Sequence, residues 1–398
     1  MTAKVALLTD VHFWEQHSGR QTRTNSMMKY LSNHIELVIL YAGVEQFDED
    51  SWEGNYDHLT VIHLSPDEKL THAEYAKLGQ NYLQNNKIDV CIIDNLAATF
   101  LIDYLPNDVS VILDTIDLVS DLNKSYAQFN ILCGLQGEEI NTINLEEEIH
   151  LFKRYNYVLL IQKFDYQKIQ PALGQKALLV PHPVDFPQQT IRQQGLHVGY
   201  VAFGTKPNLD AIVWFLNEVW PSVYVDGLYL HLFGDICNML RFNNYSDIHQ
   251  EWLRNQEKYS PGITQFYQSR SLDIEAQPGV ILHDYLPNRD QIYTQVDVVI
   301  NPVRFGAGLK IKNVEALGYG LPLLTTTHGA CGLETHVGEA LLVADQPADF
   351  AQQLSRLLAG YPLRKAVGQA AYQLARSEFS PDACFGPLLA AIQTLQRA

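Results

Sequence analysis

The stretch 301–334, NPVRFGAGLKIKNVEALGYGLPLLTTTHGACGLE, sets the reading of the whole chain. An apolar strand, VDVVINP (296–302), runs into it, a glycine-rich turn with two lysines follows, and a helix begins almost at once. Gly306 and Gly308 lack a side chain, so the backbone can turn tightly there, take positive φ and come close to a ligand. The unpaired N–H groups at the start of the next helix favour an anion, and so does the helix dipole. Lys310 and Lys312 add positive charge at that mouth, and Arg304 adds a planar fork suited to phosphate. Glu315 follows near the first turn, where a carboxylate can accept from ribose hydroxyls. The pattern predicts a site for a phosphorylated ligand. It lacks the GKS or GKT ending of a P-loop, and no GxGxxG follows the first strand, which argues against an ATPase or a standard dinucleotide dehydrogenase. A sugar nucleotide fits better.

Outward from this block the chain alternates strands and helices. In the first half VALLT (5–9), ELVILY (36–41), VIHL (61–64), DVCIID (89–94), VSVILD (109–114), YVLLI (157–161) and ALLV (177–180) read as strands, with helices near Thr22–Ser32 and 70–85. Such nearly continuous apolar runs imply parallel sheets covered on both faces. PHPVDFPQQT (181–190) breaks the pattern, which then restarts with HVGYVAF (197–203), a helix over 207–220, LYLHLFG (228–234), VILHDY (280–285), VDVVINP, LPLLTTT (321–327) and EALLVA (339–344). Two similar α/β units joined near residue 190 are expected. The polar and aromatic segment 238–279 is too long for an ordinary connection and reads as an insertion with its own helix or as a flap. The end of the chain, from about Pro362, reads as helical throughout.

The 398 residues carry a formal net charge of −17, with 46% hydrophobic and 18% charged residues. That is a globular composition, and its acidity argues against nucleic acid as the main partner and against a strong polybasic grip on lipid. The N-terminus reads as a strand and not as a signal peptide, and no apolar run approaches the ~18 residues of a membrane span, so a cytoplasmic protein with at most peripheral membrane contact is expected. Cys91, Cys133, Cys237, Cys331 and Cys384 are scattered without CxxC spacing and read as reduced thiols. No cofactor or metal is expected: HExxH is absent. Asp297 in VDVVINP reads as a strand-start or buried polar residue and not as half of a metal-holding DxD pair.

Taken together, FGAGLKIKNVEALGYGLPLLTTTHGACGLE (305–334), VGYVAFGTKPNLDAIVWFLNEVWP (198–221), HSGRQTRTNSMMKYLSNH (17–34) and VILDTIDLVSDL (111–122) resemble the retaining GT-B glycosyltransferases of family 4, the glycosyl transferases group 1. The resemblance covers most of the chain, and its first block is the specific one. It implies an α/β, GT-B fold of two Rossmann-like domains facing each other across a cleft. An acceptor-side domain would span 1–190, completed by about 380–398 through a C-terminal helix crossing back. A nucleotide-sugar domain would span 191–379, with the insertion at about 238–279.

Carried over residue by residue, the resemblance implies that Glu315 holds the ribose, that Lys312 and Arg304 neutralise the diphosphate with Lys310 and Lys206 nearby, and that Gly19, Gly306 and Gly308 allow close approach. Tyr285 would end a strand and touch the base. Asp117 is the candidate catalytic residue, orienting a donor or acceptor hydroxyl, and His12, His17 and Arg20 are candidates for the acceptor side. Arg23 reads as a surface pair, and Asn208 as a helix N-terminal residue and not a ligand contact. The chain departs from the family at Ala307, where many members have a glutamate contacting the donor sugar, and at Ile116, where many have a histidine. The implied activity is retaining, metal-independent transfer from a nucleotide sugar to a carbohydrate, glycolipid or glycoprotein acceptor, as in polysaccharide biosynthesis. The two departures leave open a catalytically silent partner subunit, and a sugar-nucleotide epimerase is a third reading that lacks a clear acid/base pair.

Overall fold

A computed structural model describes residues 4–14, 18–43, 59–64, 72–94, 101–132, 143–187, 191–242, 247–257 and 262–396. The chain forms two compact units. The first comprises Met1–Ser120, Ile143–Pro183 and Ser380–Ala398, and the second Asp121–Thr142 and Val184–Phe379.

Among the described residues the first unit contains seven strands: β1 (Lys4–Thr9), β2 (Glu36–Tyr41), β3 (Thr60–His63), β4 (Val90–Asp94), β5 (Ser110–Asp114), β6 (Tyr157–Leu160) and β7 (Ala177–Leu179). They pair in parallel in the order β3-β2-β1-β4-β5-β6-β7. The second unit repeats the plan with β8 (His197–Val201), β9 (Tyr229–Phe233), β10 (Val280–Leu282), β11 (Val298–Asn301), β12 (Leu323–Thr325) and β13 (Leu341–Val343), in the order β10-β9-β8-β11-β12-β13. Each order reverses direction beside its first strand, which is the doubly wound arrangement that places ligands outside the carboxyl ends of the strands. Every strand expected from the sequence is present. The runs were legible because both faces of each sheet are buried, as the unbroken burial of Val90–Asp94 and Val298–Asn301 shows. Cys91, in the middle of β4, is fully buried and its thiol is pushed up to about 12 by that burial.

Three local outcomes differ from the sequence reading. The helix expected over 207–220 runs from Lys206 to Val223, with a π-helical turn at Phe215–Val219 between two α segments. The strand expected to end at Tyr285 ends at Leu282, and Asp284 adopts a left-handed backbone at φ 54°, so Tyr285 stands in a loop. The segment after β9 folds as three short helices, Ile236–Phe242, Asp247–Gln256 and Ile263–Gln268. Its Leu240, Leu253, Ile263, Phe266 and Tyr267 enter the apolar core of the second unit.

Helix Val119–Leu132 starts at the end of the first unit's Met1–Ser120 segment, but most of it packs with the second unit, where Phe129 is part of the core. The chain ends in helices Tyr361–Glu378 and Pro381–Leu395. The last of these belongs to the first unit, where Asp382 accepts a hydrogen bond from Tyr30 Oη at 3.1 Å.

Candidate functional site

The second unit brings the glycine-rich block together. β11 ends at Asn301, Phe305 is buried, and the turn passes through Gly306 at φ 110° and Gly308 at φ 70°. Both angles are ones that side-chain-bearing residues rarely take. Helix Ile311–Gly318 follows, with Lys310 at its N-cap, and no side chain caps that end. A buried polar stitch fixes the block: Asn301 Nδ2 donates to Asn313 Oδ1 at 2.8 Å, and Asn313 Nδ2 donates to Gly329 O at 2.8 Å. The turn is therefore held from the strand, from the helix and from the loop after β12.

Lys312 projects from the first turn of this helix, half-buried. Its Nζ donates to Asn208 Oδ1 at 2.7 Å and lies 4.7 Å from the centroid of the Tyr200 ring. Burial, reinforced by Lys310 and opposed by Glu315, pushes its ammonium down to about 7. Asn208, which the sequence marked only as a helix N-terminal residue, is thus the group that aims Lys312. Lys310 is placed differently from the mobile cation expected: its Nζ folds back onto Ala307 O at 2.6 Å and Gly308 O at 2.9 Å. It braces the turn from within.

Glu315 is buried on the same helix, one turn on from Ile311–Lys312. Its two oxygens accept from Arg289 Nε at 3.0 Å and from Tyr293 Oη at 2.7 Å. Arg289 is pushed further up, chiefly by the Glu315 carboxylate, and Tyr293 is pushed up by burial and then by the same carboxylate. A carboxylate offers about four acceptor positions, so two ribose hydroxyls can still be accommodated. Sequence reasoning missed Arg289 and Tyr293. The available signal was their place on helix Arg289–Tyr293, entered through the N-cap Asn288 just after the loop bearing Tyr285. Tyr285 itself is half-buried and close enough to Arg289 to act on its charge.

Arg304 departs furthest from its expected role. Its fork grips Asp210 through Nε at 3.0 Å and Nη2 at 2.7 Å, and Arg270 holds the same carboxylate from the other side at 2.8 and 2.9 Å. A guanidinium engaged in this way ties the turn to helix Lys206–Trp214. Lys206 opens helix Lys206–Trp214, and its neighbour Pro207 lies 3.6 Å from where a Cβ on Gly306 would stand, so the turn and the start of this helix pack together. Ser125 Oγ accepts the Gly306 N–H at 2.8 Å, and Phe129 stacks on Phe305 with centroids 3.7 Å apart, which ties helix Val119–Leu132 to the turn.

The remaining candidates lie in the first unit, around the carboxyl ends of β1, β4 and β5. Gly19 is the first residue of helix Gly19–Ser32, capped by Ser18. Arg20 donates to Asp10 at 2.6 Å and reaches Asp94 at 3.5 Å, and Asp94 also accepts from Thr9 at 2.8 Å and Thr24 at 3.1 Å. Burial raises Asp94, against the pull of Arg20. His12 stacks on Trp14 at 5.5 Å. His17 lies outside the described residues. Arg23 is not a surface pair: it is 1% exposed and bidentate on Asp114 at 2.8 and 3.0 Å. Spacing could not disclose this pair, because the partners are 91 residues apart. Asp117 is half-buried in the turn between β5 and helix Val119–Leu132, its N–H donating to Thr115 O at 2.7 Å.

In that turn Ile116 takes φ 62°. A β-branched residue there carries strain of about 1–2 kcal/mol. Ile116→Gly relieves it, against a chain-entropy cost of about 0.5–1 kcal/mol. A net gain of about 0.5–1 kcal/mol is expected, read as a higher urea midpoint at unchanged slope. A lower midpoint would show that the isoleucine contacts outweigh the strain.

Residues 196–360 match the family model described as Glycosyl transferases group 1. This segment is similar to the glycosyl transferases of group 1. It contains the turn, Lys312, Glu315 and Arg289, and the match supports a transferase. An uncharacterised 44.6 kDa protein of the cps region of Klebsiella pneumoniae is 28% identical over 147 residues, which cover 37% of this chain and 33% of that protein. The alignment therefore spans about a third of that relative.

Solved structures share the fold over nearly the whole chain. Sucrose-phosphate synthase from Thermosynechococcus elongatus has a TM-score of 0.70 at 13% identity, covering 99% of both chains. Anabaena HepE in complex with UDP and glucose has a TM-score of 0.63 at 12% identity, covering 99% of this chain and 98% of that one. The fold is GT-B, and the residues that match the group 1 model lie in its second Rossmann-like unit. Among the described residues, no helix is long and apolar enough to cross a membrane.

Proposed function

We propose that the chain is a retaining, metal-independent glycosyltransferase of the cytoplasm that moves a sugar from a nucleotide-sugar donor to a glycan, lipid-linked or protein acceptor. The observation that carries this reading is Lys312. Its ammonium is pushed down to about 7 in a site that already holds a tight glycine turn, an uncapped helix start and a ribose-ready carboxylate. Such a lysine gains from an arriving diphosphate what burial takes away.

Breaking the anomeric C–O bond leaves positive charge on the sugar ring and negative charge on the departing diphosphate. Lys312, the N–H groups of helix Ile311–Gly318 and the backbone of the turn are fixed where that negative charge grows, which is the form of catalysis preorganised electrostatics supplies. On the retaining reading the acceptor attacks from the face the diphosphate leaves, and the departing phosphate takes the acceptor proton. Asp117 then orients a hydroxyl and does not act as an obligatory base. The UDP and glucose held by HepE make UDP-hexoses the first donors to try, and the cps-region relative favours a cell-surface polysaccharide or glycolipid acceptor.

The test is a thermal-shift panel of UDP, GDP, CDP, ADP and dTDP, followed by turnover of the matching sugar conjugates with and without a chelator. A nucleotide present at 100 times its Kd stabilises the fold by about 2.7 kcal/mol, a rise of several degrees. No rise with any nucleotide on folded protein sinks the donor reading. A rise without turnover on any conjugate supports the second reading, a silent partner subunit, which the methyl of Ala307 and the strained Ile116 motivate.

A further inference from the structure

Asn208 is the third residue of helix Lys206–Trp214, and both ends of its carboxamide are engaged. Nδ2 donates to Phe203 O at 2.9 Å, and Oδ1 accepts from Lys312 Nζ at 2.7 Å. The opposite amide orientation would set acceptor against acceptor and donor against donor, so the partners fix which end is oxygen. The Nδ2 contact serves the start of its own helix. The Oδ1 contact reaches 104 residues along the chain, to the helix that carries Glu315.

Tyr200 completes the seat from β8: its Oη donates to Asn208 O at 3.0 Å, and its ring centroid lies 4.7 Å from Lys312 Nζ. Pro207, the residue before Asn208, packs at the Gly306 end of the turn. Lys312 is thereby held beside the glycine-rich turn, and both it and Asn208 are only half-buried. Among the described residues, Asn208 Oδ1 is the one hydrogen-bond acceptor of that ammonium. An ammonium has three hydrogens, so others remain for an oxygen arriving from solvent. We propose that Asn208 is a positioning residue of the transfer reaction: by accepting from the Lys312 ammonium, it fixes where that cation meets the diphosphate. This inference rests on the transferase reading above and adds a residue that acts through Lys312.

An acceptor on the charged form also favours that form, so Asn208 opposes the burial that pushes Lys312 down to about 7. The other charged and titratable groups facing Lys312 are Lys310 and Glu315 on its own segment, Tyr200 from β8, and Tyr293, whose Oη donates to Lys312 O at 3.4 Å. Burial pushes both tyrosines up, so they stay neutral through the pH range that tests the lysine.

Calorimetry with UDP-glucose, UDP-galactose, UDP-N-acetylglucosamine, GDP-mannose and ADP-glucose finds the conjugate that the wild type holds, and its binding is then followed from pH 6 to 9. Affinity falls above the pH at which the empty-site ammonium loses its proton. Asn208→Leu removes the acceptor and is expected to start that fall about one unit lower, weakening binding about tenfold at pH 8 and about threefold or less at pH 6. Asn208→Asp sets a carboxylate against the ammonium and is expected to start the fall at a higher pH than in the wild type. In Lys312→Met, Asn208→Leu is expected to cost less than about threefold at either pH.

Equal weakening by Asn208→Leu with and without Lys312 shows that Asn208 acts through its own helix start alone, and overturns the inference. So does a fall that begins at one pH in the wild type, Asn208→Leu and Asn208→Asp, as a purely structural residue would give. Either result leaves the transferase reading standing. Binding of no conjugate and no nucleoside diphosphate (UDP, GDP or ADP) by the wild type overturns both. Should Asn208→Leu fail to fold, Asn208→Asp decides alone, and an unmoved fall then overturns the inference.

Discussion

Lys312→Ala is expected to lower kcat/KM for the nucleotide-sugar donor about 100- to 1,000-fold, the range seen when one fixed donor to a developing oxyanion is removed. The loss should fall mainly on kcat, because the charge Lys312 meets is greater on the departing diphosphate than on the intact conjugate. The same side chain gives donor binding a pH dependence whose sign is fixed by the empty site, where its ammonium sits at about 7. A bound diphosphate raises it, so above pH 7 binding must take up a proton. The apparent affinity is flat below about pH 7 and falls by up to about tenfold per unit above it, until the pKa of the bound form is reached. The diphosphate of a sugar conjugate has no ionisation of its own in that window. Lys312→Arg, which stays protonated throughout, should therefore bind with a flat profile. A wild-type profile that matches Lys312→Arg between pH 6 and 9 would falsify the assignment of Lys312 to the diphosphate.

That Gly306, Gly308, Lys312 and Glu315 come together was legible because they sit within one strand-turn-helix unit, where spacing alone fixes which backbone groups and side chains are neighbours. The thirteen strands were legible for a related reason: burial on both faces leaves unbroken apolar runs. What escaped were partners at long separation. Arg289 and Tyr293 meet Glu315 across 26 and 22 residues, Asn208 meets Lys312 across 104, and Ser125 meets Gly306 across 181. A single sequence carries no distance between such positions, so Arg304 read as a free phosphate fork and Arg23 as a surface cation. One clue was available. Asp210 stands among Leu209, Ala211, Ile212 and Val213, all buried, and a lone acid on the core face of a helix implies a cation brought to it from elsewhere.

That acid carries the largest expected effect on stability. Asp210 is 1% exposed and is the shared carboxylate of Arg270 and Arg304. The Arg270 guanidinium lies 4.2 Å from the Phe266 ring centroid and 5.1 Å from that of Phe129, and Arg304 lies 5.5 Å from Trp214. The aromatic faces help to hold two cations against one anion. Asp210→Ala deprives the buried Arg270 of its carboxylate while Phe266 O and Ser269 Oγ still accept from it, so a loss of about 3–5 kcal/mol in urea unfolding is expected. Asp210→Asn keeps the shape and loses the charge, and should fall between the two. Removing the stranded cation as well separates an uncompensated charge from simple loss of packing. If charge is the cause, Asp210→Ala combined with Arg270→Met is more stable than Asp210→Ala alone; if packing is the cause, the double variant is worse. The effect also reaches the site, because Phe129, 5.1 Å from the Arg270 guanidinium and 6.0 Å from that of Arg304, is the ring that stacks on Phe305 at the entrance to the glycine-rich turn. Under conditions where Asp210→Asn remains folded, its donor KM should rise although the substitution touches no ligand. An unchanged KM would show that the turn keeps its geometry without this tie.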